Sequence, residues 1–485
     1  MEKKEKGLSA WQLTMLALGT VIGGSFFLGS SVAIHAAGPA IILAFIFGGL
    51  LVYLILFSLS EMTASNPDSG SFRTFAAQAF GPGAGFVVGW VYWTGMILAM
   101  SSEATAVSIL LRQWFPNLSI ALIGSFIIIT VTFLNLLGAD KLSKLESSLA
   151  SVKIVAIISF IVIAVLIIAG IFKGVSPIGA GALLKEPFAP GGIKGIAGSM
   201  LIVIFSYAGF EVIGLAASET ENPRVTVPRA ITYTVVSLVS LYILAVLLIL
   251  PLIPTALLSE NMSPMVASLD RLGIGWAGNA LNVVLITAIL STMLAAMFGL
   301  GRMIRTLADE GQAPKLLDDK GNVPYRGILF SGFGMLLALG VGLLFPRVYL
   351  FLISSGGFAL LFTYAAILAT HIRYRKMHGC PDGKCKVPGY PYTSWLALIT
   401  MIIIIFSMPF IPGQSSGLIA GLVIIALYTL AYAAIKLTGR YERKEVNDGR
   451  INNSKFKENL SAEFSKELTQ ADDKKKECCE KKNEK

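Results

Sequence analysis

Charge is scarce in this chain: 14% of its 485 residues are Asp, Glu, Lys or Arg, where a soluble domain carries about 25%. So few ionised groups cannot keep a folded surface of this size in water, and they equally exclude a disordered chain or a coiled coil. Cysteine, with 4 copies, is too rare for a disulfide scaffold, and glycine, with 48, is too rare for collagen. Histidine has only 3 copies. No His, Cys or Ser cluster with a partner base and no nucleotide-binding loop can be found, so an enzyme is not expected. What the chain has instead is apolar residues, 55% of the total, and a mean hydropathy of +0.73. These proportions describe an integral membrane protein with many spans.

Twelve apolar stretches are long enough to cross a bilayer core of about 30 Å. They lie at 12–35, 39–64, 84–111, 119–138, 148–171, 195–216, 229–250, 277–304, 327–345, 348–370, 394–412 and 416–437. The run after Met1–Gly7 resembles a signal peptide, but its length, its polar and Gly breaks and the spans that follow it mark a first transmembrane helix. With residues 1–11 placed in the cytoplasm, 32 of the 39 Lys and Arg fall on that side and six fall outside. The opposite orientation breaks the positive-inside bias. Both termini are therefore expected in the cytoplasm, with the protein multi-pass in the cell membrane. The net charge of +10 reflects this topology and the anionic lipid bilayer, not nucleic acid. Residues 438–485, rich in Lys, Glu, Asp and Asn, read as a charged cytoplasmic tail, disordered or loosely helical. Cys380 and Cys385 share a loop with His378 and Gly383, and Cys478 and Cys479 are adjacent. A zinc site would need a second firm ligand pair, so the loop reads as a stiff turn and no metal is expected.

Two spans are interrupted in their middle. The first contains Gly19-Thr20-Val21-Ile22-Gly23-Gly24-Ser25 and the sixth contains Phe205-Ser206-Tyr207-Ala208-Gly209-Phe210-Glu211. Each Gly costs about 1 kcal/mol in a helix interior relative to Ala. Close packing through small residues is one account of such a cluster. Local unwinding is the better one, because it frees N–H donors at the start of the second half-helix, where the dipole favours a carboxylate. Freed carbonyls at both breaks can accept from an ammonium. A carboxylate site beside an amine site describes an α-amino acid, and paired broken helices are the best sequence pointer to a transporter's binding site.

Ordered motifs run through nearly the whole apolar region. They include Gly19 to Gly29, Gly38-Pro39, Ser60-Glu61-Met62, Ser69-Gly70-Ser71-Phe72, Gly81-Pro82 and Gly89-Trp90-Val91-Tyr92-Trp93. Gly209-Phe210-Glu211, Ser218-Glu219-Thr220-Glu221-Asn222-Pro223, Val227-Pro228-Arg229-Ala230, Gly301-Arg302-Met303 and Leu307-Ala308-Asp309-Glu310-Gly311-Gln312-Ala313-Pro314 follow. With them the chain resembles the bacterial amino-acid permeases of the amino acid–polyamine–organocation superfamily. The resemblance implies an all-α membrane protein of 12 transmembrane helices, a LeuT-like 5+5 inverted repeat with helices 1 and 6 broken, plus two additional helices. Residues 12–171 would form the first repeat, 195–375 the second, and 394–437 the last two helices. It implies that the N–H groups of Gly23, Gly24 and Ser25 hold the substrate carboxylate, with Ile22 in the same segment. The carbonyls of Val21, Phe205 and Ala208 would hold the amine, with Ser206 and Gly209 completing the substrate-binding set. Relatives commonly read Gly-(Ser/Thr)-Gly where this chain reads Gly23-Gly24-Ser25, so the hydroxyl is displaced by one residue.

A charge at mid-bilayer costs about 2.5–3.5 kcal/mol on insertion scales, so three ionisable residues stand out as candidates for proton coupling. Lys153 lies in the fifth span; desolvation makes its proton exchangeable, as in similar transporters, while snorkelling to the headgroups is the alternative. Glu211 either senses protons or holds the unwound backbone. Glu103, in the third span, helps with protons, binds a cationic side chain, or makes a plain inter-helix hydrogen bond. Ser291 and Thr292 could line the region near Lys153. Glu61, Glu219 and Glu221 with Arg302 and Arg305 suggest cytoplasmic ion pairs at an inner gate. Phe205 and Phe210 flank the second break and resemble gating rings, whereas Tyr92, Trp93 and Tyr207 read as packing or interface anchors. The expectation is a secondary active amino-acid transporter importing a neutral amino acid by proton symport and alternating access, with no cofactor and H+ as coupling ion. An exchanger and a non-transporting sensor are the alternatives. The sequence leaves the particular amino acid and the oligomeric state open.

Overall fold

The computed structural model describes residues 9–65, 72–172, 176–215, 220, 222–319, 323–379 and 386–437, and every regular element it contains is helical. Glu219, Glu221, all four cysteines and the tail 438–485 lie outside the described residues. In chain order the helices are α1 (Ala10–Val21), α2 (Ser30–Ala37), α3 (Ile41–Ser65), α4 (Phe72–Phe80), α5 (Pro82–Leu111) and α6 (Ile120–Asn135). Then follow α7 (Ala139–Ile168), α8 (Gly192–Ser206), α9 (Val212–Leu215), α10 (Pro223–Leu252), α11 (Pro264–Arg271) and α12 (Gly275–Asp309). The last four are α13 (Tyr325–Gly342), α14 (Val348–His378), α15 (Tyr392–Ser407) and α16 (Ser415–Leu437).

Each of the twelve apolar stretches contains helix. Among the described residues, eight helical segments are long and apolar enough to cross a membrane, and shorter apolar helices cover Ala10–Val21, Ile120–Asn135, Val152–Ile168 and Gly192–Ser206. Local chemistry sets several of the ends. The Ser9 side chain accepts from Gln12 N–H at the start of α1 and Ser119 from Leu122 N–H at the start of α6, each satisfying a donor that has no intrahelical partner. Gly81, at φ +93, turns the chain into α5 with Pro82 in its first turn. Some helices outrun their apolar stretch, because backbone hydrogen bonding continues past the first charge. α7 starts at Ala139 rather than near 148, which puts Lys153 midway along a 30-residue helix.

Beside an apolar core, several helices also turn apolar side chains outward. Leu122, Phe126, Ile129 and Phe133 form an exposed apolar stripe on α6, and Ile399, Ile402, Ile403 and Phe406 do the same on α15. Glu61, Glu103, Lys153 and Glu211 are buried. Exposed apolar stripes suit lipid, while the interior collects the ionisable groups. α5 runs through the centre of the bundle, against α4, α6, α12, α13, α14 and α16, and carries Tyr92 and Glu103 inward. α16 buries only Gly417 and Gly421, small residues four apart that let its backbone approach Ser354 and Phe358 of α14.

Candidate functional site

The first break is a real discontinuity. α1 ends at Val21, Ile22 is extended at φ −73 and ψ 104, and the chain resumes as a five-residue π turn, Ser25–Gly29, before α2. Gly23 and Gly24 are needed for a specific close approach. A Cβ at Gly24 would stand 2.5 Å from Glu103 Oε2, and one at Gly23 would stand 3.2 Å from Oε1. Gly24 N–H donates to Glu103 Oε2 at 2.7 Å, and the Ser25 N–H also faces that carboxylate. The donors expected to grip a substrate carboxylate therefore already hold a carboxylate of the protein.

The carbonyl end of α1 carries the opposite charge. Lys153 Nζ donates to Gly19 O at 2.8 Å and to Thr292 Oγ1 at 2.7 Å, and Thr292 Oγ1 lies 3.2 Å from Ile22 O. Each charge meets the backbone groups that the half-helix polarity favours. Of the two hydroxyls expected near Lys153, Thr292 makes the contact. The snorkelling alternative does not hold, since Lys153 is 1% exposed.

α8 ends at Ser206, and residues 207–211 turn before α9. Gly209 takes φ +104, a conformation open to glycine alone at little cost. Its N–H donates to Glu211 Oε2 at 3.0 Å, while Tyr92 OH donates to Glu211 Oε1 at 3.0 Å and Tyr364 OH to Oε2 at 3.3 Å. Of the two roles expected for Glu211, holding the unwound backbone is thus visible in the geometry. The two breaks also touch: Thr20 Oγ1 donates to Gly209 O at 3.2 Å and Ser206 Oγ to Ser25 O at 3.2 Å.

The remaining predicted residues fall in the same region. Val21, Ile22, Ser25 and Phe205 are buried between the breaks, and Ala208 is half-buried. Phe205 O accepts from Ala208 N–H at 3.0 Å. Phe210 is buried with its ring centroid 4.9 Å from that of Tyr364. Tyr92, read from the sequence as an anchor, instead meets Glu211, a contact 119 residues away in sequence. Tyr349, whose OH donates to Gly24 O at 3.3 Å, and Tyr242, whose OH donates to Ser206 O at 3.1 Å, had no signal beyond being tyrosines in apolar runs. Away from the breaks, Glu61 is chelated by Arg375 and accepts from Val387 N–H at 2.8 Å, with His371 Nε2 at 3.1 Å. The partner expected from the sequence was Arg302 or Arg305; the guanidinium of Arg302 lies over the Phe298 ring, 4.6 Å from its centroid. Arg73 is paired with Glu310 between α4 and the end of α12.

Tyr92→Phe removes one donor from the buried Glu211 carboxylate. A hydrogen bond to a charged group contributes about 1.5–3 kcal/mol, so a fall in thermal stability of that order is expected, measured by unfolding of the purified protein in detergent. No change in unfolding would mean that Tyr92 does not hold Glu211.

Groups suited to the two ends of a zwitterion thus lie side by side, the donors being taken by Glu103. N–H donors open the second half-helix of the first break, and carbonyls of the second break lie beside it. The model of the amino acid permease family matches residues 12–447. The chain is 31% identical over 451 residues to the gamma-aminobutyric acid permease of Bacillus subtilis (strain 168), covering 91% of this chain and 96% of that one. It is 32% identical over 439 residues to the uncharacterized amino acid permease YtnA of the same organism, covering 88% and 95%. To the aromatic amino acid transport protein AroP of Escherichia coli O157:H7 it is 30% identical over 419 residues, covering 85% and 92%.

Proposed function

The chain belongs to the amino acid permease family and is thus a multi-pass membrane transporter of amino acids and not an enzyme, and from that premise we propose that it imports a neutral amino acid together with protons. The working architecture is twelve transmembrane helices in two inverted sets of five, the two extra helices being α15 and α16. The substrate sits between the first and second breaks and is reached alternately from either side of the membrane, with both termini in the cytoplasm. The substrate carboxylate takes the N–H groups of Gly23, Gly24 and Ser25, and its ammonium takes the carbonyls of Val21, Phe205 and Ala208. Phe205 and Phe210 act as the gating rings.

One observation carries the coupling. The Lys153 ammonium binds the carbonyl end of α1 through Gly19 O at 2.8 Å and, by way of Thr292, reaches Ile22 O. Protonated, it ties α7 and α12 to the half-helix; neutral, it loses the charge that favours that contact. A proton therefore biases the position of α1, which is what alternating access needs. The apolar surroundings, including Phe26 stacked on Tyr242 at 3.8 Å, favour a substrate without a charged side chain.

Radiolabelled uptake into liposomes containing the protein tests this, with the twenty common amino acids and γ-aminobutyrate as the panel. Accumulation above equilibrium is expected for at least one member only when the outside is the more acidic side. Uptake that ignores pH and needs an amino acid preloaded inside would establish exchange in place of symport.

A further inference from the structure

Glu103 occupies the place where the proposed function seats the substrate carboxylate. Its Oε2 accepts Gly24 N–H at 2.7 Å, and Ser25 N–H faces the same group. The approach is built into the sequence on both sides. α5 delivers the side chain from the centre of the bundle, and glycine at 23 and 24 removes the Cβ atoms that would stand 3.2 and 2.5 Å from its oxygens. We propose that Glu103 is a built-in occupant of the carboxylate cradle, holding it while no substrate is bound and yielding it to the incoming amino acid as Glu103 takes up a proton.

The inference rests on the transport reading and refines it. Two carboxylates cannot share one set of N–H donors, so Glu103 has to leave when substrate binds. Leaving as an anion would strand a charge in the interior, where an unpaired ion is strongly disfavoured. The ionisable groups that face it are Lys153 on α7, Tyr242 on α10 and Tyr349 on α14. From α12 the nearest side chains around the cradle are Ile289 and Thr292, and Ala106 of α5 completes it. Lys153 is held by Gly19 O and Thr292, and the two tyrosines are already donating to Gly24 O and Ser206 O. Protonation of the departing carboxylate, by one proton from the aqueous side open at that moment, removes the stranded charge. One carboxylate sits on the cradle before and after, the zwitterion adds no net charge, and one proton is bound per substrate.

Binding, not transport, tests this. Affinities of the purified wild-type protein and of Glu103→Gln and Glu103→Ala are measured from acidic to mildly alkaline pH. The probe is the best-bound member of the panel of twenty amino acids and γ-aminobutyrate, and ligand-induced thermal shift is a parallel readout, so that reduced basal stability of a variant does not hide its binding. The wild-type Kd is expected to rise towards about tenfold per pH unit at the alkaline end, the slope of a single linked proton. Both variants should lose that slope and bind more tightly than the wild type at alkaline pH. A variant that keeps the wild-type slope, or that binds no better at alkaline pH, overturns the inference and leaves transport standing. If no panel member binds the wild type at any pH, the transport reading falls and this inference falls with it.

Discussion

Lys153→Gln is expected to abolish accumulation of substrate driven by a pH gradient while leaving equilibration down a concentration gradient. Glutamine can still donate an N–H toward Gly19 O or Thr292 Oγ1, the two partners of the lysine at 2.8 and 2.7 Å, so the half-helix keeps a neutral tie. What it cannot do is change charge. With one proton carried per substrate, a gradient of one pH unit supports about tenfold accumulation, because each unit is worth about 1.4 kcal/mol; in the variant the ratio should fall to unity. Uptake into liposomes with and without the gradient reads this directly. A Lys153→Gln protein that still concentrates substrate would show that a change of charge at Lys153 is not needed and that the proton taken up by Glu103, beside Gly24, suffices for coupling.

Gly209→Ala should be the most damaging single methyl group at the site. The backbone there has φ +104, and an added Cβ would lie 2.9 Å from Thr20 O, 3.1 Å from Thr20 C and 3.4 Å from the Val21 Cα. A left-handed conformation costs an L-residue roughly 1–2 kcal/mol. The clash adds to this, because the neighbour is backbone at the end of α1 and cannot rotate aside. The seam between the two breaks, closed by Thr20 Oγ1 on Gly209 O, would be forced open. Transport is expected to fall by more than about tenfold and unfolding to begin several degrees lower, since about 1 kcal/mol moves a midpoint by a few degrees. Gly299→Ala in α12 is the matched control, for nothing lies within 4 Å of a Cβ there and alanine suits a helix better than glycine. If both variants transported alike, the seam would carry no weight in the cycle.

Glu103 and Lys153 together explain why the first break is stable in a low-dielectric interior. Unwinding exposes N–H donors on one side and carbonyls on the other, and an unsatisfied buried backbone group is costly. A carboxylate from α5 meets the first and an ammonium from α7 meets the second. The charges are thus part of what allows the helix to be broken at all, and exchange of either for a substrate or a proton alters the same local balance.

Some of this was legible without coordinates. The apolar runs marked where helices would form, since a run of that length can bury its backbone polar groups only by hydrogen bonding within itself. The Gly-Gly-Ser and Ala-Gly-Phe-Glu clusters marked where those helices would fail, since glycine weakens a helix wherever it sits. The expectation of a carboxylate site and an amine site followed from the polarity of the exposed ends. The tyrosines on Glu211 could not be found this way, and neither could the Arg375 partner of Glu61, 314 residues distant.

The sequence by itself determined the solvent, the helices and the two weak points in them, because hydropathy, periodic hydrogen bonding and glycine act over a few residues. Only the tertiary structure decided which charge meets which break. Glu103 lies 79 residues from Gly24 and Lys153 lies 134 from Gly19. Pairing across such distances is set by how α5, α7 and α12 pack around the first break, and packing is a property of surfaces brought together, not of neighbours along the chain.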